Sequence, residues 1–230
     1  MAQEYRCVAQ NVPGFVAQLV RYVASGHYFY VRVLLPEHKD ATAIDAKLLA
    51  RYDADRKRWQ RKRRRLKQNA GVHYIRCRRV AVLMVTKGRH ETFYADHGSN
   101  ISDIRRTALK VYGYSIRFNT NANKVSVRLD EQTQSKAKAH LETIAAWDSY
   151  RDVAKLEREF MRLPYQPYAP VYRQLITIAK SVNRIRRKRG FDPIDLSCVR
   201  TKKRLVKVFM EEELAEGSGT EAIAWFNLPT

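Results

Sequence analysis

Twelve residues, RKRWQRKRRRLK from Arg56 to Lys67, constrain the fold more than any other stretch of the chain. Arg56, Lys57, Arg58, Arg61, Lys62, Arg63, Arg64, Arg65 and Lys67 surround only Trp59, Gln60 and Leu66. Like charges three and four residues apart on a helix repel by roughly 0.2–0.5 kcal/mol per pair. A helix through this segment therefore stays at the surface and gains from an external anion. Ile44, Leu48, Tyr52, Trp59 and Leu66 recur at intervals of four or seven, the spacing that keeps side chains on one helical face. The pattern predicts a single helix from Asp40 to Lys67. Its Ile44–Leu48–Tyr52 half is expected to pack on a sheet, and its Arg-rich half to project as an arm of roughly 18 Å.

Charge elsewhere points the same way. Lys and Arg number 44 against 23 acidic residues, a formal net charge of +21, far beyond what solubility requires. Residues 51–90 alone hold 15 Lys or Arg against Asp53 and Asp55. Nucleic acid is the expected partner. A membrane is not, because the basic runs adjoin Asp-rich or strand-like sequence rather than an apolar face suited to insertion. No apolar run of about 18 residues occurs, and the first residues lack a charged segment followed by an apolar one, so a soluble, cytoplasmic protein is expected. Cys7, Cys77 and Cys198 are far apart and form no CxxC pair. They read as reduced, buried thiols, with no disulfide framework, metal site or cofactor indicated.

With 230 residues and 45% hydrophobic content the chain can bury a sizeable core. Residues 12–24 place Phe15, Leu19, Val20 and Val23 at helical spacing behind Pro13, and Ser25-Gly26 stops that helix. His27–Pro36 alternates, with aromatic and β-branched residues, as a half-buried strand does. Residues 72–85 read as one strand with a basic face, bulged near Arg79, that runs into the core. Lys87-Gly88 then makes a hairpin turn to a returning strand over Glu91–Ala95. Ser102 is expected to cap a short helix from Asp103 to Val111. The clearest hairpin pairs Tyr114–Asn119 with Lys124–Leu129 across Thr120-Asn121-Ala122-Asn123. Helices are expected over Gln132–Asp148, Ser149–Arg162 and Val171–Arg189, the last two separated by the proline-punctuated LPYQPYAP, with a short strand over Leu205–Phe209. The fold class is α+β, an antiparallel-rich sheet of about five strands backed by helices, followed by a mainly helical C-terminal half. Three regions are expected: a basic α+β nucleic-acid-binding domain over 1–130, a helical region over 131–210 and an acidic flexible tail over 211–230, available to dock a protein partner.

The candidate contact residues are the nine cations of the 56–67 segment, Arg76, Arg78 and Arg79 on the basic strand, Arg184, Arg186, Arg187, Lys188 and Arg189 at the end of the last helix, and Lys202, Lys203 and Arg204. Arginine dominates both helical patches, which favours bidentate phosphate contacts and stacking on bases. Only Gln60, Gln68 and Asn69 could read base edges there, so phosphate gripping is the expected role. Tyr28, Phe29, Tyr30, Tyr74, Phe93, Tyr94, Tyr112, Tyr114 and Phe118 with Arg32, Arg76, Arg78 and Arg117 suggest a stacking platform of which two or three aromatic members are exposed. On that ground the balance tips slightly to RNA over DNA. The expected function is a non-catalytic subunit of a ribonucleoprotein or nucleic-acid-processing complex.

Four catalytic arrangements stand as rivals. Glu37, Asp45 and Lys47 only superficially match a metal-nuclease pattern, because Asp45 and Lys47 fall in a predicted helix. His90, Glu91, Asp96 and His97 could converge on a hard metal ion, without diagnostic spacing. Tyr150, Tyr165, Tyr168 or Tyr172 could attack a phosphodiester, but no His-x-His pair accompanies them. His27 or His73, beside Tyr28 or Tyr74 and nearby arginines, could cleave RNA without a metal.

Overall fold

The computed structural model describes residues 5–163, 168–199 and 206–209, apart from the side chains of Arg58 and Arg162. The order is α1 (Val12–Ala24), β1 (Phe29–Leu34), α2 (Ala41–Arg51), α3 (Arg58–Leu66), β2 (Val72–Cys77), β3 (Val80–Val85), α4 (Glu91–His97), β4 (Ser102–Asp103), β5 (Leu109–Val111), β6 (Tyr114–Asn119), β7 (Lys124–Leu129), α5 (Glu131–Ala145), α6 (Val153–Arg162) and α7 (Ala169–Lys188). The class is α+β. The strands divide into two antiparallel sheets, ordered β2-β3-β1-β4 and β5-β6-β7, instead of one sheet of about five.

Two compact units partition the chain. The first holds the described residues of Met1–Val111, Ile116–Val125 and Val206–Leu214; the second holds Tyr112–Ser115 and the described residues of Ser126–Leu205. The division runs through the β6–β7 hairpin.

In the first unit β3 lies between β1 and β2, and all but its first residue are buried. Residues paired across strands share a face. On one face Val72, Tyr74 and Arg76 oppose Val85, Leu83 and Ala81, which in turn oppose Phe29, Val31 and Val33. That face packs on Tyr52, Ala54, Phe93, Ile44, Leu48 and Leu49. The opposite face carries His73, Ile75, Val82 and Met84, and α1 lies against β2 and β3 there with Tyr22 stacked on His73. Burial on both faces explains why Val80–Val85 is continuously apolar.

Five local expectations are corrected. The predicted Asp40–Lys67 helix is two helices, broken at residues 52–57. Tyr52 and Ala54 are both buried, 3% and 0% exposed, although residues two apart point to different sides of a continuous helix. Asp53 takes a left-handed φ of 53°, which Asp tolerates better than most residues, and its carboxylate binds Arg56 and Arg64. Second, residues 72–85 are not one strand. Cys77 pairs directly with Val80, so Arg78-Arg79 forms a two-residue turn with Arg78 at φ 50°. Third, Glu91–His97 is helical, with His90 Nδ1 accepting from the Phe93 amide as its cap. Gly88 makes no hairpin. It allows close approach to the backbone after α3, where a Cβ would stand 2.5 Å from the Ala70 nitrogen. Fourth, Ser102–Asp103 is an edge strand paired with Tyr30 and Phe29, and the Asp103 carboxylate binds the Arg105 amide and guanidinium, which replaces the expected helix by a turn. In the expected Leu205–Phe209 strand, residues 206–209 form no strand, although the Val208 carbonyl accepts from the Gln10 amide.

In the second unit α5, α6 and α7 bury Leu141, Ile144, Leu156, Phe160, Val171, Leu175, Ile178 and Val182. Asp130 caps α5 and Asp152 caps α6 through their carboxylates. Among the described residues no helix is long and apolar enough to cross a membrane.

Candidate nucleic-acid interface

The basic helix α3 begins where Gln60 Oε1 accepts from the Lys57 amide at 2.9 Å, and it contains no acidic residue in its first turn. Its arginines are divided between two faces. Arg64 binds Asp53 at 3.2 Å, Arg65 donates to the Ser25 carbonyl at 3.3 Å, and Arg61 donates to the Arg56 carbonyl with its guanidinium 6.0 Å from the Tyr5 ring centre. Arg56 binds Asp53 at 2.8 Å. These four side chains fix the helix to the body of the first unit. Lys57, Lys62, Arg63 and Lys67 are exposed. So are Trp59, 61% accessible, and Leu66, 78% accessible. The expected apolar stripe is therefore inverted along α3: Arg61, Arg64 and Arg65 reach carbonyls and Asp53 on one side, and the two large apolar side chains face solvent on the other. The side chain of Arg58 lies outside the described residues.

Beneath Arg61 and Arg65 four rings meet. His73 stacks on Tyr22 with centroids 4.2 Å apart and planes 9° apart, Tyr5 stacks with it at 6.3 Å, and His27 stands 4.7 Å away. The hydrogen-bond network assigns both tautomers. Ser25 Oγ gives its proton to the Tyr22 carbonyl at 2.8 Å, so the 2.9 Å contact with His27 Nδ1 is donated by the imidazole. The Tyr5 hydroxyl gives its proton to the Tyr74 carbonyl at 2.9 Å, so the 3.2 Å contact with His73 Nδ1 is also donated by the ring. Each Nε2 then carries a lone pair. Burial pushes the His27 pKa down to about 4 and that of His73 to about 2, with Arg61 and Arg65 adding to the depression. Both histidines named in the sequence are thus brought together, with Tyr5 and Tyr22 as neighbours in place of Tyr28 and Tyr74. Their residue types drew attention to each, but nothing in the sequence showed that positions 27 and 73 meet.

Other expected contact residues fall into distinct environments. Arg76 is corrected from surface contact to core: it is 9% exposed and its Nε and Nη2 grip Asp45 at 2.7–2.9 Å, while the Tyr74 hydroxyl donates to the same carboxylate at 2.5 Å. Arg186 is likewise corrected. It is fully buried and donates to the carbonyls of Asp192, Tyr150 and Arg151 at 2.5, 2.7 and 2.8 Å, closing the turn after α7. Arg184, Arg187, Lys188 and Arg189 remain exposed on that helix end. Arg78 is exposed in its turn, and Arg79 is half-buried, donating to the carbonyls of Pro36, Glu37 and Lys39. Lys202, Lys203, Arg204 and the acidic tail from 211 to 230 lie outside the described residues.

The aromatic platform contracts in the same way. Tyr30, Tyr74, Phe93, Tyr114 and Phe118 are core residues, and Tyr94, 38% exposed, stands on a helix. Tyr28 and Phe29 stay half-buried under Arg105, whose guanidinium lies 4.9 and 5.7 Å from their ring centres. Of the catalytic rivals, Asp45 is consumed by Arg76 and Tyr74. Asp96 is held by Arg51 at 2.5 Å and by the Tyr52 hydroxyl at 2.9 Å, which with the Arg51 hydrogen bond as main cause lowers its pKa to about 2. No group of three or more His, Cys, Asp or Glu side chains is placed to hold a metal among the described residues. Tyr172 is exposed, Tyr150 and Tyr168 are half-buried, and Tyr165 lies outside the described residues. A scan against protein-family models finds no match, and a search of curated proteins finds none either.

Proposed function

We propose that this is a cytoplasmic, non-catalytic nucleic-acid-binding protein, a subunit of a ribonucleoprotein or nucleic-acid-processing complex, that grips phosphates with α3 and takes RNA slightly in preference to DNA. The observation that carries the reading is the set of exposed cations on α3 and at its two caps, Lys57, Lys62, Arg63 and Lys67, about a helix with no carboxylate of its own. Counterions condensed on a nucleic acid are released when such a face replaces them, and this drives association. Arg184, Arg187, Lys188 and Arg189 form a second exposed cluster suited to the same chemistry. The acidic residues after position 210 are the candidate docking segment for a protein partner. The test is the dependence of affinity on salt. Replacing Lys57, Lys62, Arg63 and Lys67 by Gln should flatten the slope of log K against log salt by about 3, since each phosphate contact contributes about 0.7–0.9. An unchanged slope would refute the assignment of these four residues.

A second reading has one specific observation in its favour, the His27–His73 pair under Arg61 and Arg65. A neutral imidazole there could take the proton of a ribose 2′-hydroxyl; the oxygen would attack phosphorus, the bond to the 5′-oxygen would break, and that oxygen would recover the proton. Incubating end-labelled RNA with the protein in the presence of a chelator separates the readings: shortened RNA that disappears in His27→Gln favours cleavage, and intact RNA favours binding alone.

A further inference from the structure

The inverted face of α3 holds more than charge. Trp59 and Leu66 are seven residues apart, within about 20° of each other around the helix, and both are exposed. Lys62 and Arg63 follow Trp59 by three and four residues and flank it at roughly 5–6 Å between Cβ atoms. An indole between two cations matches a single nucleotide, which presents a π-face beside a phosphate. We infer that Trp59 is a stacking site for an unpaired nucleobase, with Lys62 and Arg63 on the adjoining phosphates and Leu66 covering the base edge. This rests on the nucleic-acid reading above and specifies the substrate class as single-stranded.

Charge complementarity selects this occupant. A polyanion neutralises Lys62 and Arg63 while covering the indole, and bases inside a duplex have both faces already stacked, so only an unpaired base can lie on Trp59. The half of the helix that holds it to the protein is independent of the stripe, because Arg61, Arg64 and Arg65 point to the other side. Trp59 can therefore be changed without loosening α3.

The experiment uses the full chain with Trp147 and Trp225, the other two tryptophans, replaced by Phe, so that emission reports Trp59 alone. An unstructured RNA of about 12 nucleotides, the same sequence as a duplex, and phosphatidylserine vesicles are titrated separately, at about 50 mM salt. Saturable quenching by the single strand, with little by the duplex, is the expected result. Trp59→Leu should weaken single-strand affinity about tenfold or more while leaving the salt slope unchanged, and Trp59→Phe should restore most of it. Equal affinity of wild type and Trp59→Leu, or equal quenching by duplex and single strand, overturns the inference and leaves phosphate binding standing. A blue shift with vesicles and none of the expected quenching with RNA makes the stripe a membrane contact and overturns it as well. Failure to bind any nucleic acid instead refutes the underlying reading.

Discussion

Acidification from pH 7 to 5 should weaken the first unit through His27 and His73. The two rings are packed against Tyr22 and each other, and both already donate from Nδ1, to Ser25 and to Tyr5. Protonating either Nε2 puts a charge into that stack under Arg61 and Arg65. The ordinary pKa of 6.5 falls to about 4 for His27 and about 2 for His73. The sign follows from proton counting: between pH 6.5 and 4 the unfolded chain holds protons that the folded chain does not, so stability rises with pH there and is lost on acidification. One pH unit corresponds to about 1.4 kcal/mol per group, so each histidine removes about 2 kcal/mol by pH 5, and the pair about 4 kcal/mol at most. That is a large share of the usual 5–15 kcal/mol. The Asp96 carboxylate, held down to about 2, contributes its own loss only below about pH 4, outside this window. Imidazole nitrogen shifts should report the Nδ1–H tautomer for both rings down to pH 5, and the opening free energy of the β3 amides, taken from hydrogen exchange after correction for the intrinsic rate at each pH, should fall over the same range. His73→Phe keeps the stack on Tyr22 and should remove the His73 share, about 2 kcal/mol by pH 5, while His97, whose pKa burial also lowers, keeps its own contribution in both proteins. Ring nitrogens that titrate near 6.5, or β3 exchange whose underlying stability is the same at pH 7 and 5, would refute the reasoning.

Two further substitutions test the cations that are structural. Asp45→Ala leaves Arg76 charged and buried without its partner and should cost about 3–5 kcal/mol, read as a fall in the denaturation midpoint; a loss below about 1 kcal/mol would mean that water replaces the carboxylate. Arg186→Lys gathers its donors on one nitrogen, which cannot reach the carbonyls now bound separately by Nε, Nη1 and Nη2, and should cost at least about 2 kcal/mol, measured in the same way. Arg187→Ala, on the exposed side of the same helix, is expected to stay within about 0.5 kcal/mol.

Much of the fold was legible because its elements carry their own periodicity and stops. Phe15, Leu19 and Val23 declare α1, the alternation of Tyr114–Asn119 and Lys124–Leu129 declares their hairpin, and Gly190, at φ 71°, ends the last helix as its position suggests. The failures share a cause. The interval from Tyr52 to Trp59 continues a heptad in the sequence, but Tyr52 and Ala54 are drawn into one core, and that nonlocal burial breaks the helix. The Arg78-Arg79 turn lacks the Gly or Asn that marks hairpins, so a return of the chain looked like a bulge. Charge itself misled at Arg76 and Arg186: a sequence counts cations but does not show which carboxylate or carbonyls enclose them. Asp45 is 31 residues from Arg76, and the Tyr150 carbonyl is 36 from Arg186.

The same partition explains why α3 turns its apolar residues outward. Guanidinium groups can cap carbonyls and Asp53 in several directions, so Arg61, Arg64 and Arg65 hold the helix with polar contacts that Trp59 and Leu66 could not make. Each such bond contributes about 0.5–1.5 kcal/mol net, and the half-exposed Arg64–Asp53 pair no more than about 1. Turning the helix over to bury Trp59 and Leu66 would gain about 1.5–3 kcal/mol for each side chain while releasing all three arginines. Like-charge repulsion among Lys62, Arg63 and Lys67 persists in both orientations. A bound single-stranded polyanion, as proposed above, would favour the outward orientation, because only there would it cover Trp59 while relieving that repulsion. The exposed tryptophan is then stable in the complex for the same reason that it is costly outside it, and its accessibility should fall when RNA binds although the helix itself stays in place.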